Sequence, residues 1–413
     1  MRLGDIANED AVANGRPLDG IRILAAEQMQ ALPYATQLLA RLGAHVVKVE
    51  PIGGESGRGA LPAMTDPFGD AVGATFLRNN FNKQTISLNL KEPAAKEIFI
   101  ELAGRFDVVA ENNKAGAMDR LGLGYDTLSA RWPELIYLSI SGFGNTGDSP
   151  YRNWPAYAMI PEAMSGIYEH TRSGDDPPRV APAGALGDIG SALYGVIGIL
   201  AALAHRQRTG RGQYVDIAML DAMVAMTDVV SNFWSLGRRP GDEPPLIMHG
   251  FQASDGWFVM QVGREHQFDR LARLIGHDEW LSDERLATRP GWVEHLESLI
   301  RPAVEGWAST KTKLEVCELL GEAGIAAGPC NSAPELISDP HVAARNMLIE
   351  MPRTDDVAEP VLVPGNPVKM SAVAEGPETR VPWVGEHTDA VLTEELGFTS
   401  QQLAELRSAG VIG

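Results

Sequence analysis

Asp188 stands directly before an uncharged run, residues 189–204, in which Leu193, Val196, Ile197, Leu200 and Leu203 recur at helical spacing. An acidic residue there is expected to be the N-cap of a long helix. Free amides and the helix dipole favour the anion at that end by about 0.3–1 kcal/mol, so the carboxylate is expected to be ionised and able to attack a carbonyl carbon. Taken alone, the same residue also reads as a plain cap. Other chemistries find little support. Nine histidines show no HExxH and no metal-ligand spacing, and two cysteines, Cys317 and Cys330, form no CxxC, so no metal is expected. There is no Gly-x-Ser-x-Gly elbow. The glycine-rich loop at 51–59, PIGGESGRG, does not open a helix as a dinucleotide fingerprint would.

The elements that must position Asp188 can be read from periodicity. Residues 21–25 form an apolar run, 34–42 have helical spacing closed by Gly43, and 45–49 are rich in β-branched side chains, which gives a β-α-β unit. A helix over 93–103 and strands at 108–109 and 135–139 continue the alternation, and so imply a parallel sheet with helices on both faces. After Asp188 the helix is expected to end near Arg206, with TGRG turning into a strand at 213–217. The segment GRRPGDEPP, 237–245, marks a boundary. Beyond it a strand at 257–262, a helix at 267–275 and helical spacing over 296–307 and 314–323 suggest a smaller α+β domain. GIAAGPC then reads as a strand returning toward the first domain. The expected fold class is α/β, with a Rossmann-like large domain and a small α+β domain. The expected bounds are 1–225 for the first part of the large domain, 226–334 for the small domain with its linkers, and 335–413 for a C-terminal segment.

With 413 residues, 44% hydrophobic and 22% charged, the chain is long enough for two cores. Its 54 acidic against 35 basic side chains, a net charge of −19, argue against general binding to nucleic acid or anionic membrane. The N-terminal stretch lacks the apolar core of a secretory signal, and the longest apolar run, 192–204, is shorter than the ~20 residues a bilayer needs. With so few cysteines, a cytoplasmic location is expected.

ALGDxxxxLYGxIGILAAL followed by RxxTGRGQxVDIAMLDA resembles the segment around the nucleophilic aspartate of the class III CoA-transferases, the family of formyl-CoA transferase. PLDGIRIL, ATQLLARLGAHVVKVEP, NKQTISLNLK, ENNKAGAMDRLGLGYDTL, LIYLSISGFGNTGDSP, SDPHVAARNM, PGNPVKMS and GEHTDAVLTEELGF follow the family's order over almost the whole chain. The resemblance implies an interlocked homodimer and Asp188 as catalytic nucleophile. CoA would pass between carboxylic acids through aspartyl anhydride and aspartyl-CoA thioester intermediates, with acyl-CoA as substrate and no tightly bound cofactor. Gln30 occupies the place of a substrate-contacting glutamine, a neutral amide suited to a developing oxyanion. Leu32 stands where the family has glycine and would narrow that pocket wall. Lys83, Lys114 and Arg120 align with basic positions expected at the CoA phosphates, and Asn112 and Met118 belong to the same loop. Arg58 falls in a CoA-side loop, while Gly263 falls near the family's mobile glycine run.

The same fold family holds α-methylacyl-CoA racemases, whose acid–base histidine and aspartate align with Tyr157 and Ala158 here, so that pair is incomplete. Many transferases carry an acidic residue near position 158, and Glu162, one turn along, is a candidate to replace it. A racemase, or a CoA-binding homologue without catalysis, remains the alternative to a CoA-transferase. The expected partners are small carboxylic acids and a second copy of the chain, with no nucleic acid and no membrane.

Overall fold

The computed structural model describes residues 1–413 except 171, 173, 174, 181–183, 240, 241 and 243 and the side chains of 229 and 230. The expected boundary at 237–245 therefore lies partly outside the described residues. The chain gathers into two compact units: Met1–Pro240 with Ala344–Gly413, and Gly241–Ala343. These bounds stand against the 225/226 and 334/335 expected from sequence.

The large unit is built on six parallel strands, β1 (Arg22–Ala26), β2 (His45–Glu50), β3 (Lys83–Ser87), β4 (Val108–Glu111), β5 (Ile136–Ser141) and β6 (Tyr214–Ala218), in the order β3-β2-β1-β4-β5-β6. Both faces are covered, which is why these strands read as apolar runs rather than alternating ones. On one face α1 (Ala31–Arg41) and a long helix, Leu186–Thr209, bury Ala35, Leu39, Ile199 and Ala202 against Ile23, Val108 and Ile136. On the other, α2 (Pro93–Ala103), α3 (Ala117–Leu121), α4 (Tyr125–Arg131) and the C-terminal helices Thr388–Leu396 and Ser400–Ser408 cover Leu24, Val47 and Val109. Each fully buried Leu, Ile or Val among these contributes roughly 1.5–3 kcal/mol. Before the long helix come two short ones, α5 (Met159–Met164) and α6 (Ile167–His170); the long helix is α7, and α8 (Met219–Met226) follows β6.

The order of strands reverses direction between β1 and β4, so a crevice opens outside their carboxyl ends. The chain leaves β1 there and α1 runs back; α7 ends beside the start of β6, so its first turn lies at the same carboxyl edge. Gln30 and Asp188 are thus placed at the starts of two packed helices.

One expectation about α7 is corrected. Its cap position is Ala185, and Asp188 lies inside the first turn without capping it. The buried side is the small one, Gly190, Ala192, Gly195, Ile199 and Ala202, while Leu193, Ile197 and Leu200 face outward. The reason is close docking. A Cβ on Gly195 would sit 3.2 Å from Ile140, and one on Gly198 only 2.6 Å from Val215. This helix is also long and apolar enough to cross a membrane by length and composition.

The small unit has its own three-stranded sheet, β7 (Ile247–Ala253), β8 (Gly256–Val262) and β9 (Ala326–Pro329), all antiparallel. GIAAGPC therefore does not leave for the first domain: Ala326–Pro329 pairs antiparallel with β8 and forms the edge of this small sheet. A core around Phe251, Phe258, Phe268 and Trp292 packs between the sheet and α9 (Glu265–Ile275) with its neighbouring helices.

Candidate active site

Asp188 is half-buried in the first turn of α7, and among the described residues its carboxylate has no hydrogen-bond or ion partner. Burial, and secondarily the negative charge of Glu162, push its pKa up to about 6. The sequence expectation of a carboxylate held ionised by the helix end is thus reversed in direction. A dipole term below about 1 kcal/mol is smaller than the desolvation it opposes.

Glu162, on α5, is buried and firmly held. Gly187, the residue before Asp188, donates its N–H to Glu162 Oε1 at 3.0 Å, and the Tyr168 hydroxyl on α6 donates to Oε2. The two acids are brought together because α5 packs on α7 and α6 packs on α5. Tyr168 gave no sign in the sequence, since its role comes only from that packing. Tyr157 is 69% exposed just ahead of α5.

Gln30 opens α1, and its Nε2 is buried without a partner among the described residues. A buried donor left unpaired is destabilising unless something accepts from it. Asn112, at the end of β4, pairs with both the N–H and the carbonyl of Gln28 at 2.9 Å. Leu32 is wholly buried in the core beneath α1 rather than on a cavity wall, because the first turn of that helix presses onto the sheet.

A cavity of about 500 Å³ opens at the carboxyl ends of β1, β2 and β3, lined among others by Gln28, Glu55, Lys91, Asn113, Met118 and Leu121. Met118 is also a core residue. Lys114 and Arg120 are exposed on the loop and helix after β4, where a phosphate has access to them.

Lys83 and Arg58 are placed differently from expectation. Lys83 Nζ is fully buried and lies 2.7 Å from Glu27, and Arg58 makes a two-pronged contact with Glu50 at 2.7 and 2.8 Å. With Lys48 and Glu55 they form a network of three cations and three carboxylates under the crevice, charge-balanced within itself. Burial lowers the Lys83 pKa to about 8 against the pull of Glu27, and although burial opposes it, Arg58 holds Glu50 down at about 2. Neither cation faces outward to meet a phosphate. The signal was available in part: Lys48 and Glu50 are polar residues two apart in a strand that is otherwise buried, hence on one face and in need of partners.

Gly263 lies in the other unit, beside a cleft of about 720 Å³ with Arg264, His266 and Arg289. Among the described residues no cluster of three or more His, Cys, Asp or Glu has the makings of a metal site.

Residues 18–388 match the profile of CoA-transferase family III. The chain belongs to this family. It is 34% identical over 98% of its length, and over the whole of the relative, to the succinyl-CoA–L-malate CoA-transferase beta subunit of Chloroflexus aurantiacus. To the formyl-CoA:oxalate CoA-transferase of Streptomyces coelicolor it is 36% identical, with 96% of this chain and 99% of that one covered. A CAIB/BAIF family protein from Brucella suis has a similar crystal structure, with a TM-score of 0.80 and 32% identity over 92% of this chain and 100% of that one. This protein is accordingly an enzyme of CoA transfer.

Proposed function

We propose that this family III enzyme moves CoA from an acyl-CoA to a small carboxylic acid through covalent intermediates on Asp188. The observation that carries the reading is a carboxylate at the carboxyl edge of the sheet, without a partner among the described residues, whose pKa is raised to about 6. It is anionic at neutral pH, yet more basic and less shielded than a surface aspartate.

The carboxylate attacks the thioester carbonyl, and the CoA thiolate leaves an aspartyl–acyl anhydride. The thiolate then attacks the aspartyl carbonyl, which releases the first acid and leaves an aspartyl-CoA thioester. The acceptor carboxylate attacks that thioester, freeing thiolate and forming a second anhydride. Attack of thiolate on the acceptor's carbonyl gives the new acyl-CoA and restores Asp188. Every step exchanges one activated acyl group for another, so no step meets the full barrier. The unpaired Gln30 Nε2 is the donor for the tetrahedral oxyanions. Glu162 takes the place of the acid missing at Ala158 and orients the nucleophile through the Gly187 amide.

The 500 Å³ cavity takes part of the CoA, with Lys91, Lys114 and Arg120 as cations for its phosphates. Relatives named for malate and oxalate support a short dicarboxylic or hydroxy acid as acceptor. The protein works as a cytoplasmic interlocked homodimer in which a second copy covers the outer face of α7.

Incubation with succinyl-CoA followed by borohydride should trap a modified peptide containing Asp188. Asp188→Ala should abolish both the adduct and transfer while the dimer persists. Activity of that variant within about tenfold of the parent, roughly 1.4 kcal/mol in barrier, would overturn the assignment.

A further inference from the structure

The loop between β1 and α1 carries Met29 at φ 60°, a left-handed conformation that a side chain with a Cβ disfavours. Its neighbours explain what holds it. The Met29 N–H donates to Glu55 Oε2 at 3.0 Å, in the loop that follows β2, while the Asn112 side chain accepts from the Gln28 N–H and donates to the Gln28 carbonyl. Glu55 is itself fixed. It is buried, Lys48 Nζ lies 3.3 Å from its Oε1, its own N–H donates to Glu50 Oε2 at 3.0 Å, and it accepts from Gly57. The residue that follows Met29 is Gln30, whose buried amide nitrogen has no partner among the described residues. Glu55 also lines the 500 Å³ cavity.

We propose that Glu55 is a positioning residue for transfer: it locks Met29 in the left-handed conformation that presents the Gln30 amide to the reacting carbonyl, and it ties that amide to the wall of the CoA cavity. The proposal rests on the reading of Asp188 and Gln30 given above. A carboxylate accepts a backbone N–H more strongly than a neutral amide does. With the clamp weakened, Met29 relaxes to negative φ and the next side chain turns with it. An amide aimed at a developing oxyanion acts in the transition state, so its misplacement lowers kcat and leaves KM for acyl-CoA little changed.

The test is the rate at which succinyl-CoA labels Asp188 in a single turnover, with kcat and KM measured alongside. A parent enzyme that is never labelled overturns the covalent reading itself, whatever Glu55 does. Given a labelled parent, Glu55→Gln should be labelled at least about tenfold more slowly with KM within about twofold. Adding Met29→Gly to that variant should restore at least about threefold of the loss, because glycine takes positive φ freely. A purely structural role in the buried ion network would not be rescued by glycine at position 29. Should Glu55→Gln not fold, Met29→Ile against Met29→Leu with Glu55 intact serves instead: the stiff β-branched side chain should slow labelling about tenfold and leucine should not. Labelling of Glu55→Gln at the parental rate, slow labelling without rescue, or equal rates for the isoleucine and leucine variants would overturn the proposal.

Discussion

In the mechanism proposed above, Asp188 is an anion when it attacks and a neutral acyl carrier afterwards. Burial and the nearby charge of Glu162 raise its pKa to about 6. A raised carboxylate pKa means the protonated, non-nucleophilic form dominates below that value and the anion above it. The kcat/KM for acyl-CoA should therefore fall about tenfold per unit as pH drops below about 6. In that mechanism acylation would also remove the like-charge repulsion from Glu162. Glu162→Gln takes away one of the two causes while keeping an oxygen for the Gly187 N–H. The acid limb of its pH–rate profile should move to lower pH, though burial should keep it above the ordinary aspartate value. An unmoved limb would remove Glu162 from any electrostatic role.

At the scale of the element, α7 is the carrier of Asp188, and its accuracy depends on how closely it docks. Glycines at 195 and 198 let its backbone approach β5 and β6. Gly198→Val would drive a side chain into Val215, where even a Cβ is 2.6 Å away. Destabilisation of roughly 1–3 kcal/mol is expected in urea denaturation. Ten residues separate the substitution from Asp188, about 15 Å along the helix, so a tilt at the contact becomes a displacement at the nucleophile. Transfer activity at full folding should fall as well; unchanged stability and activity would show that the helix does not need this approach. The existence, length and C-terminal turn of α7 were legible in the sequence, but its orientation was not. Hydrophobic periodicity put Leu193, Val196, Ile197, Leu200 and Leu203 at helical spacing without saying which face meets the sheet; Leu203 is buried with the small residues, whereas Leu193, Ile197 and Leu200 are exposed.

That exposed stripe has its consequence for the whole molecule. A helix apolar on every side is one that is covered on every side. Within one chain the outer face is bare, with Ile197 59% and Leu193 44% exposed, and Val224 and Met226 of α8 exposed as well. A second copy of the chain is the occupant proposed here. Sedimentation should show a dimer for the parent and monomers for Ile197→Glu, since a charge buried in such an interface is strongly unfavourable without a partner. A monomeric parent would leave this face without its proposed cover.

The sequence by itself determined the alternation of strands and helices, the extent of the family resemblance and the identity of the nucleophile candidate, because periodicity and local motif are written in neighbouring residues. It also located Gln30, Asn112 and Glu162 as polar residues worth watching. Only the tertiary structure decided what those residues meet. Lys83 and Arg58 looked like phosphate ligands and proved to be inside a balanced ion network, and the strand at 326–329 joined the small sheet rather than leaving it. The ionisation of Asp188 was likewise out of reach, since local sequence shows a helix end that favours the anion. What raises the pKa is burial, and then a carboxylate 26 residues away brought alongside by the packing of three helices.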